Sequence, residues 1–269
     1  MPEYTHGHQE SALKSHKWRN AQNSAAFLLP HLKDDYTILD VGSGPGTITI
    51  DLAKNYVPKG KVVGVEYVDN PLPAARASAI EQGVENVEFQ VADVHKLPFA
   101  DDTFDVAFAH QVLQHLPDPV KALQEMRRVV KPGGIVAVRD NYMAGTVIYP
   151  WNDSVKEFHT QLYPKISESN GAQPDIGPRY KQIARLAGFP LENSTFSSSN
   201  WAYASNTEAQ WWSSLWAERL KQTNLGESAI RHGIADEAKI NQMAEQWVEW
   251  GKSPDAWCNL VHFELIHKK

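Results

Sequence analysis

From Thr37 to about Arg139 the chain alternates short apolar runs with helix-like stretches, and this alternation restricts the fold more than any other feature. "TILDV" (37–41) is too short for a helix and stops at Gly42; "TITIDLAKNY" (47–56) reads as a helix of weak propensity because of its Thr and Ile. Gly60 breaks the chain, and valine-rich "KVVGVEYV" (61–68) reads as a second strand. In "DNPLPAARASAIEQG" (69–83), Asn70 is placed to cap a helix, Pro71 to open it and Gly83 to stop it. "VEFQVA" (87–92) and "FDVAFAH" (104–110) read as strands three and four. The clearest helix is "DPVKALQEMRRVV", with Asp118 as cap, Pro119 first, and Leu123, Met126 and Val130 on one face. "VKPGG" ends it and "IVAVRD" is a fifth strand. Such alternation implies right-handed βαβ units and a mainly parallel, doubly wound sheet. Ligands then bind beyond the C-terminal strand ends, so Val41, Glu66, Ala92, His110 and Arg139 should share one rim.

Past Arg139 the alternation fades. Helices are expected in 151–166, 178–189, 207–223 and 236–251, and strands in "TFSSSNWAYAS" and "WCNLVHFELIHKK". Nine tryptophans are distributed unevenly: seven lie in the last third, from Trp201 to Trp257, which marks that zone for different work. The net charge of −6, without a long basic run, disfavours a nucleic-acid partner. One cysteine, Cys258, excludes an internal disulfide and a multi-cysteine metal site, and His6 and His8 make no metal-ligand pattern, so no metal is expected. No apolar stretch reaches the roughly 18 residues of a membrane span, and the polar "MPEYTHGHQESALKSHKWRN" carries no signal-like apolar core. A cytoplasmic location is the expectation.

Gly42, Gly44 and Gly46 follow the first strand, where a ligand meets bare backbone. A Walker loop would need a Gly-Lys-Ser/Thr ending, but Gly46 is followed by Thr47 and Ile48. A dinucleotide fingerprint would need a third glycine at the position of Thr47, although Glu66 stands where its ribose acid would. A nucleoside without phosphates fits best. Glu66 would accept ribose hydroxyls and Asp93 an adenine amino group, and Asp40, Glu66 and Asp93 would favour a cationic ligand over a pyrophosphate. Asp40 alternatively braces the turn.

"LDVGSGPG", Glu66, "VADVHKLPF" and "VKPGG" together resemble the motifs of class I S-adenosylmethionine-dependent methyltransferases. Residues 16–140 are similar to the ubiquinone/menaquinone-biosynthesis-like branch, many of whose members methylate small molecules; Glu66 replaces the commoner aspartate and Ser43 varies the glycine turn. The resemblance implies a seven-stranded Rossmann-like sheet, with a helical lid in 1–35, a cofactor-binding core in 36–140, and cap helices plus the final strands in 141–269. It implies a cofactor site of Asp40, Gly42, Ser43, Gly44, Glu66, Tyr67, Ala92, Asp93, Val94, His110 and Gln111, closed by Trp18 and by Arg19 facing the methionyl carboxylate.

His110 is a candidate general base or only shapes the pocket, and His115 is a second candidate or packs near the next helix. In-line methyl displacement needs little acid–base help when positioning and water exclusion do the work. Tyr142, Trp151, Trp201, Tyr203, Trp211, Trp212 and Trp216 are either cap core or walls for a flat or lipophilic acceptor, walls that also tolerate a cation. Two alternatives remain at this point: an NAD(P)-dependent oxidoreductase, and a cofactor-binding regulator without turnover.

Overall fold

The computed structural model describes residues 18–269. Strands β1 (Thr37–Val41), β2 (Lys61–Glu66), β3 (Val87–Val91), β4 (Phe104–His110), β5 (Val130–Asn141), β6 (Val147–Tyr149), β7 (Ser194–Tyr203) and β8 (Trp257–Lys268) form one eight-stranded sheet. Its order is β3-β2-β1-β4-β5-β8-β6, with β7 on the other edge of β8. The β3-to-β5 half is parallel, and β8 runs antiparallel to β5, β6 and β7. β1 pairs with β2 on one side and β4 on the other, so the order of travel reverses beside the glycine turn. That reversal opens the crevice in which such sheets bind ligands.

Period-two alternation sorts the strand side chains into two layers. Leu39, Val41, Val63 and Val65 join Leu123, Met126, Tyr180 and Ile183 on one face. Ile38, Val62, Val106 and Phe108 join Ile48, Leu52, Leu72 and Ala75 on the other. Gly64 leaves β2 bare where a Cβ would lie 2.8 Å from the Phe89 ring, which lets that ring approach the strand. A third cluster belongs to the cap: Trp212 and Trp216 of helix Asn206–Gln222 and Trp247 and Trp250 of helix Glu237–Lys252 pack together with Phe158. Trp201 and Tyr203 reach it from β7, so most of the late tryptophans are core.

Several local expectations hold for stated reasons. Asp118 accepts the Lys121 N–H at 3.0 Å, capping Pro119–Val129. Gly83 sits at φ +65° just past helix Leu72–Glu81. Asn70 does not cap that helix; Pro71 occupies the N-cap and no side chain closes it. Val130 begins β5 rather than ending the helix. The sheet has one strand beyond the seven expected, because "VIY" (147–149) is too short for a pattern yet pairs with Trp257–Asn259. Residues 153–169 form two helices joined by a π turn at Phe158–Leu162, and Asn224–Arg231 adds a helix that the sequence pattern did not show.

Of the expected lid, residues 1–17, with His6 and His8, lie outside the described residues. The remainder has a short helix, Ala21–Ser24, and a turn at Leu29–His31. Ala21, Ala25 and Leu28 point inward, but Trp18 is 39 % exposed. Among the described residues no helix is long and apolar enough to cross a membrane, and no group of three His, Cys, Asp or Glu side chains is placed to hold a metal.

Candidate active site

The turn after β1 is built on left-handed backbone: Gly42, Gly44 and Gly46 have φ of +72°, +53° and +80°. A Cβ on Gly42 would stand 2.4 Å from Val112 Cγ2, so glycine is required there sterically as well as conformationally. The N–H groups of Gly42 and Ser43 both donate to Val65 O, at 2.8 and 3.1 Å, which ties the turn to β2. Gly44 donates instead to Glu66 Oε1 at 2.6 Å, and Tyr67 N–H donates to Oε2 at 3.2 Å. Each carboxylate oxygen thus keeps acceptor capacity beyond its backbone bond. Burial raises the Glu66 pKa against these two lowering bonds.

Asp40 is buried, accepts the Thr49 hydroxyl at 2.6 Å, which ties β1 to the helix Thr47–Asn55, and lines the cavity at the strand ends. Burial pushes its pKa up to about 7, the Thr49 bond opposes this, and the Glu66 charge adds to it. Asp93 Oδ1 accepts the His95 N–H at 2.9 Å and lies 2.8 Å from His95 Nδ1. Burial alone would raise Asp93, but the His95 contacts and the charges of His95 and Lys121 hold it below the usual carboxylate range.

These groups surround one cavity of about 390 Å³ at the C-terminal strand ends. Its wall includes Arg19, Asp40, Gly42, Ser43, Gly44, Glu66, Tyr67, Ala92, Asp93, Val94, His110 and Gln111, which is the expected cofactor set without Trp18. Trp18 instead lines a second, smaller pocket under the cap. Gln111, Arg19 and His115 line both.

The smaller pocket has walls of Trp18, Trp201, Tyr203, Trp211, Trp212 and Trp216, with Tyr163, Asn141, Arg219 and Leu260 between them. Trp18 stands edge-on to Trp201 at 5.1 Å, and Tyr203 stacks on Trp212 at 4.2 Å. Two expected wall residues are placed elsewhere. Trp151 is 65 % exposed and its indole N–H bonds Asp153; Tyr142 packs edge-on to Phe263 at 6.2 Å. Both follow β5 in sequence, but the loop carries them away from the rim. Tyr163, Asn141, Arg219 and Leu260 were not anticipated, because the side chains converge from four elements with no shared spacing.

His110 ends β4, is 5 % exposed, and faces Trp201 at 5.5 Å and His262 at 6.2 Å. His115 is deeply placed; burial, then the Arg19 charge, lowers its pKa to about 4. A base that weak draws little proton from an ordinary hydroxyl or amine near neutrality.

A parallel sheet whose switch point carries a bare glycine turn, a strand-end carboxylate and an acidic rim defines a nucleoside-binding α/β enzyme. A model of the methyltransferase-domain family matches residues 32–205, and the chain belongs to this family of S-adenosylmethionine-dependent methyltransferases. An uncharacterized methyltransferase of Schizosaccharomyces pombe is 33 % identical over 275 residues, spanning 99 % of this chain and 96 % of the relative. The ubiquinone/menaquinone biosynthesis C-methyltransferase of Bdellovibrio bacteriovorus is 37 % identical over 130 residues, 48 % of this chain and 53 % of that protein. Phosphoethanolamine N-methyltransferase 2 of Haemonchus contortus, solved with phosphomonomethylethanolamine and S-adenosylhomocysteine, superimposes with a TM-score of 0.56 at 18 % identity, over 92 % of this chain and 53 % of that one. The dehydrogenase and the turnover-free alternatives both fall away with the family assignment.

The residues present fit S-adenosylmethionine. Glu66 keeps acceptor sites beyond its two backbone bonds, and the acidic rim suits a cation. The cavity also falls within the about 300–1,000 Å³ common for small-molecule sites.

Proposed function

We propose that this methyltransferase acts on a small apolar or aromatic molecule seated in the tryptophan-lined pocket. The observation that carries this reading is the shared wall: Gln111, Arg19 and His115 belong to the cofactor cavity and to the aromatic pocket. Only this one layer of side chains would separate the two guests, and it would have to part for the methyl group to pass. When bound, S-adenosylmethionine supplies the electrophilic methyl group. Glu66 would hold the ribose hydroxyls and Asp93 the adenine amino group, with Gly42 and Gly44 giving close backbone approach. Arg19 would face the methionyl carboxylate, and His110 would shape the rim at the methyl end.

The indole walls exclude water and orient the acceptor, which for in-line displacement supplies most of what a strong base would otherwise add. This arrangement suits an acceptor whose nucleophile is already reactive. Among the described residues the charged side chains of the aromatic pocket are Arg19 and Arg219. Their sign favours a neutral or anionic acceptor over a cationic one. The pocket has about 30 Å³ in this closed arrangement, space for a water-sized guest, so admitting an acceptor requires one wall to move. Trp18 is the pocket's most exposed wall residue, at 39 %. The single buried thiol, Cys258, suits a reducing compartment, and the cytoplasm is the location proposed.

Labelled methyl transfer from S-adenosylmethionine into a panel of neutral, anionic and cationic aromatic compounds tests the reading. Turnover restricted to the first two classes, and lowered by Trp211→Ala mainly through KM, is the expected result. Turnover confined to large or polar acceptors would sink it.

A further inference from the structure

Gln111 has the one side chain at the junction of the two pockets whose backbone is strained. Its φ is +55°, a region that residues other than glycine, asparagine and aspartate seldom occupy. The strain is held by its N–H, which donates to Arg139 O at 2.7 Å across the ends of β4 and β5. Such strain persists only where the surroundings over-determine it.

The hydrogen-bond directions around Gln111 follow from chemistry. Arg19 carries donors and no acceptor, so its Nη2, 2.6 Å from Gln111, must be donating to the amide oxygen Oε1. The Gln111 Nε2 then faces His262 Nε2 at 3.1 Å, and an amide nitrogen only donates. His262 Nε2 must therefore be the unprotonated acceptor, and the ring proton sits on Nδ1, which donates to Leu260 O at 3.2 Å. Every step of this chain has one donor and one acceptor, with the β8 backbone fixing its far end. His262 is fully buried and is held between Trp201, 4.4 Å away, and His110. Burial, then the charges of Arg139 and Arg19, keeps the imidazole neutral, as its acceptor role requires.

We propose that His262 is a positioning residue: through Gln111 it sets the Arg19 guanidinium at the methionyl end of the cofactor cavity. The inference rests on the reading of Arg19 as the partner of the cofactor carboxylate. Without an acceptor at position 262, the Gln111 amide is free to turn its NH₂ toward Arg19, replacing an attractive contact with donor against donor. The binding held by Arg19 is common to ground and transition states, so its loss appears in KM rather than in kcat.

The test compares His262→Phe, which keeps a ring and removes the acceptor, with His262→Gln, which restores an acceptor of similar reach. His262→Phe is expected to weaken S-adenosylhomocysteine binding about tenfold in calorimetry and to raise the KM for S-adenosylmethionine similarly, with kcat within about twofold of wild type. His262→Gln should recover most of the affinity. In a cycle with Arg19→Ala, the two losses should not add, since both act through one contact. The proposal is overturned if His262→Phe binds like wild type, if His262→Gln fails as badly while retaining the wild-type Tm, or if the cycle is additive. The additivity comparison decides the matter even if His262→Phe lowers Tm. Wild-type protein that binds no S-adenosylhomocysteine overturns the cofactor reading itself, whereas binding lost in Glu66→Ala but kept in His262→Phe overturns only this role.

Discussion

Glu66→Ala is expected to weaken S-adenosylhomocysteine binding by about 1.5–3 kcal/mol, roughly 10- to 150-fold in Kd, while the sheet still folds. The carboxylate sits at the end of β2 with Oε1 on the Gly44 N–H and Oε2 on the Tyr67 N–H. A carboxylate offers about four acceptor sites, so about two remain for a pair of vicinal hydroxyls facing the cavity. Alanine removes those and also leaves the Gly44 amide to the cavity, which loosens the turn that the ligand must approach. Glu66→Gln separates charge from hydrogen bonding. Glutamine has one acceptor oxygen, so of the Gly44 and Tyr67 N–H groups one faces its NH₂ and loses its bond, which opposes the relief from removing a charge that burial disfavours. Glu66→Gln should therefore bind with intermediate affinity. Calorimetry on both variants, alongside thermal melts, checks this; affinity within twofold of wild type for Glu66→Ala would remove the carboxylate from the site.

The wall of the larger cavity was legible in the sequence because its physics is local. A strand of five residues must end where Gly42 turns it, and parallel pairing then sets Val41, Glu66 and His110 on one rim whatever the rest of the chain does. The same logic places Asp93 just beyond β3, beside the Ala92 N–H that donates to Glu66 O at 2.8 Å. The aromatic pocket was legible only as composition. Clustered tryptophans announced a cap, but which of them face a pocket depends on how two long helices and β7 meet, and no sequence period encodes that meeting. Trp201 and Trp212 line the pocket while Trp151, equally aromatic, stands in solvent.

His262 shows the limit differently. It lies in register with Asn141 of β5 and Ser199 of β7, on the buried face of β8 with Cys258 and Leu260. Its chemical role depends on Gln111, about 150 residues away in sequence, whose strained φ has no sequence signature because glutamine rarely adopts it. Local rules therefore position the glycine turn, and long-range pairing of β8 with β5 brings His262 to Gln111 and, through it, to Arg19.

Asp40→Asn is expected to stabilise the ligand-free protein at about pH 8 and to do so about half as much at about pH 5.5. Burial is the main cause of the raised Asp40 pKa, with the Glu66 charge adding to it and the Thr49 hydroxyl opposing it. The folded chain holds that proton up to about pH 7, whereas an exposed aspartate releases it near 3.8. The stability associated with the held proton is complete below the lower value and is lost as pH rises through the upper one. Above that, the buried anion costs up to about 4 kcal/mol, taking about 1.4 kcal/mol for each tenfold change in proton affinity. Asparagine keeps an acceptor for Thr49 and carries no charge. A gain of about 2 kcal/mol at the higher pH, or about 4–8 °C in Tm, is a reasonable share of that figure. A cationic ligand in the cavity offsets the same cost. The Tm increase that S-adenosylmethionine gives wild-type protein should therefore be larger at about pH 8 than at about pH 5.5, and Asp40→Asn should flatten that difference. Melts at the two pH values, with and without ligand, measure all four quantities. A variant whose Tm differs from wild type by the same amount at both would show that Asp40 is ionised throughout, and that the rim tolerates its charge without a partner.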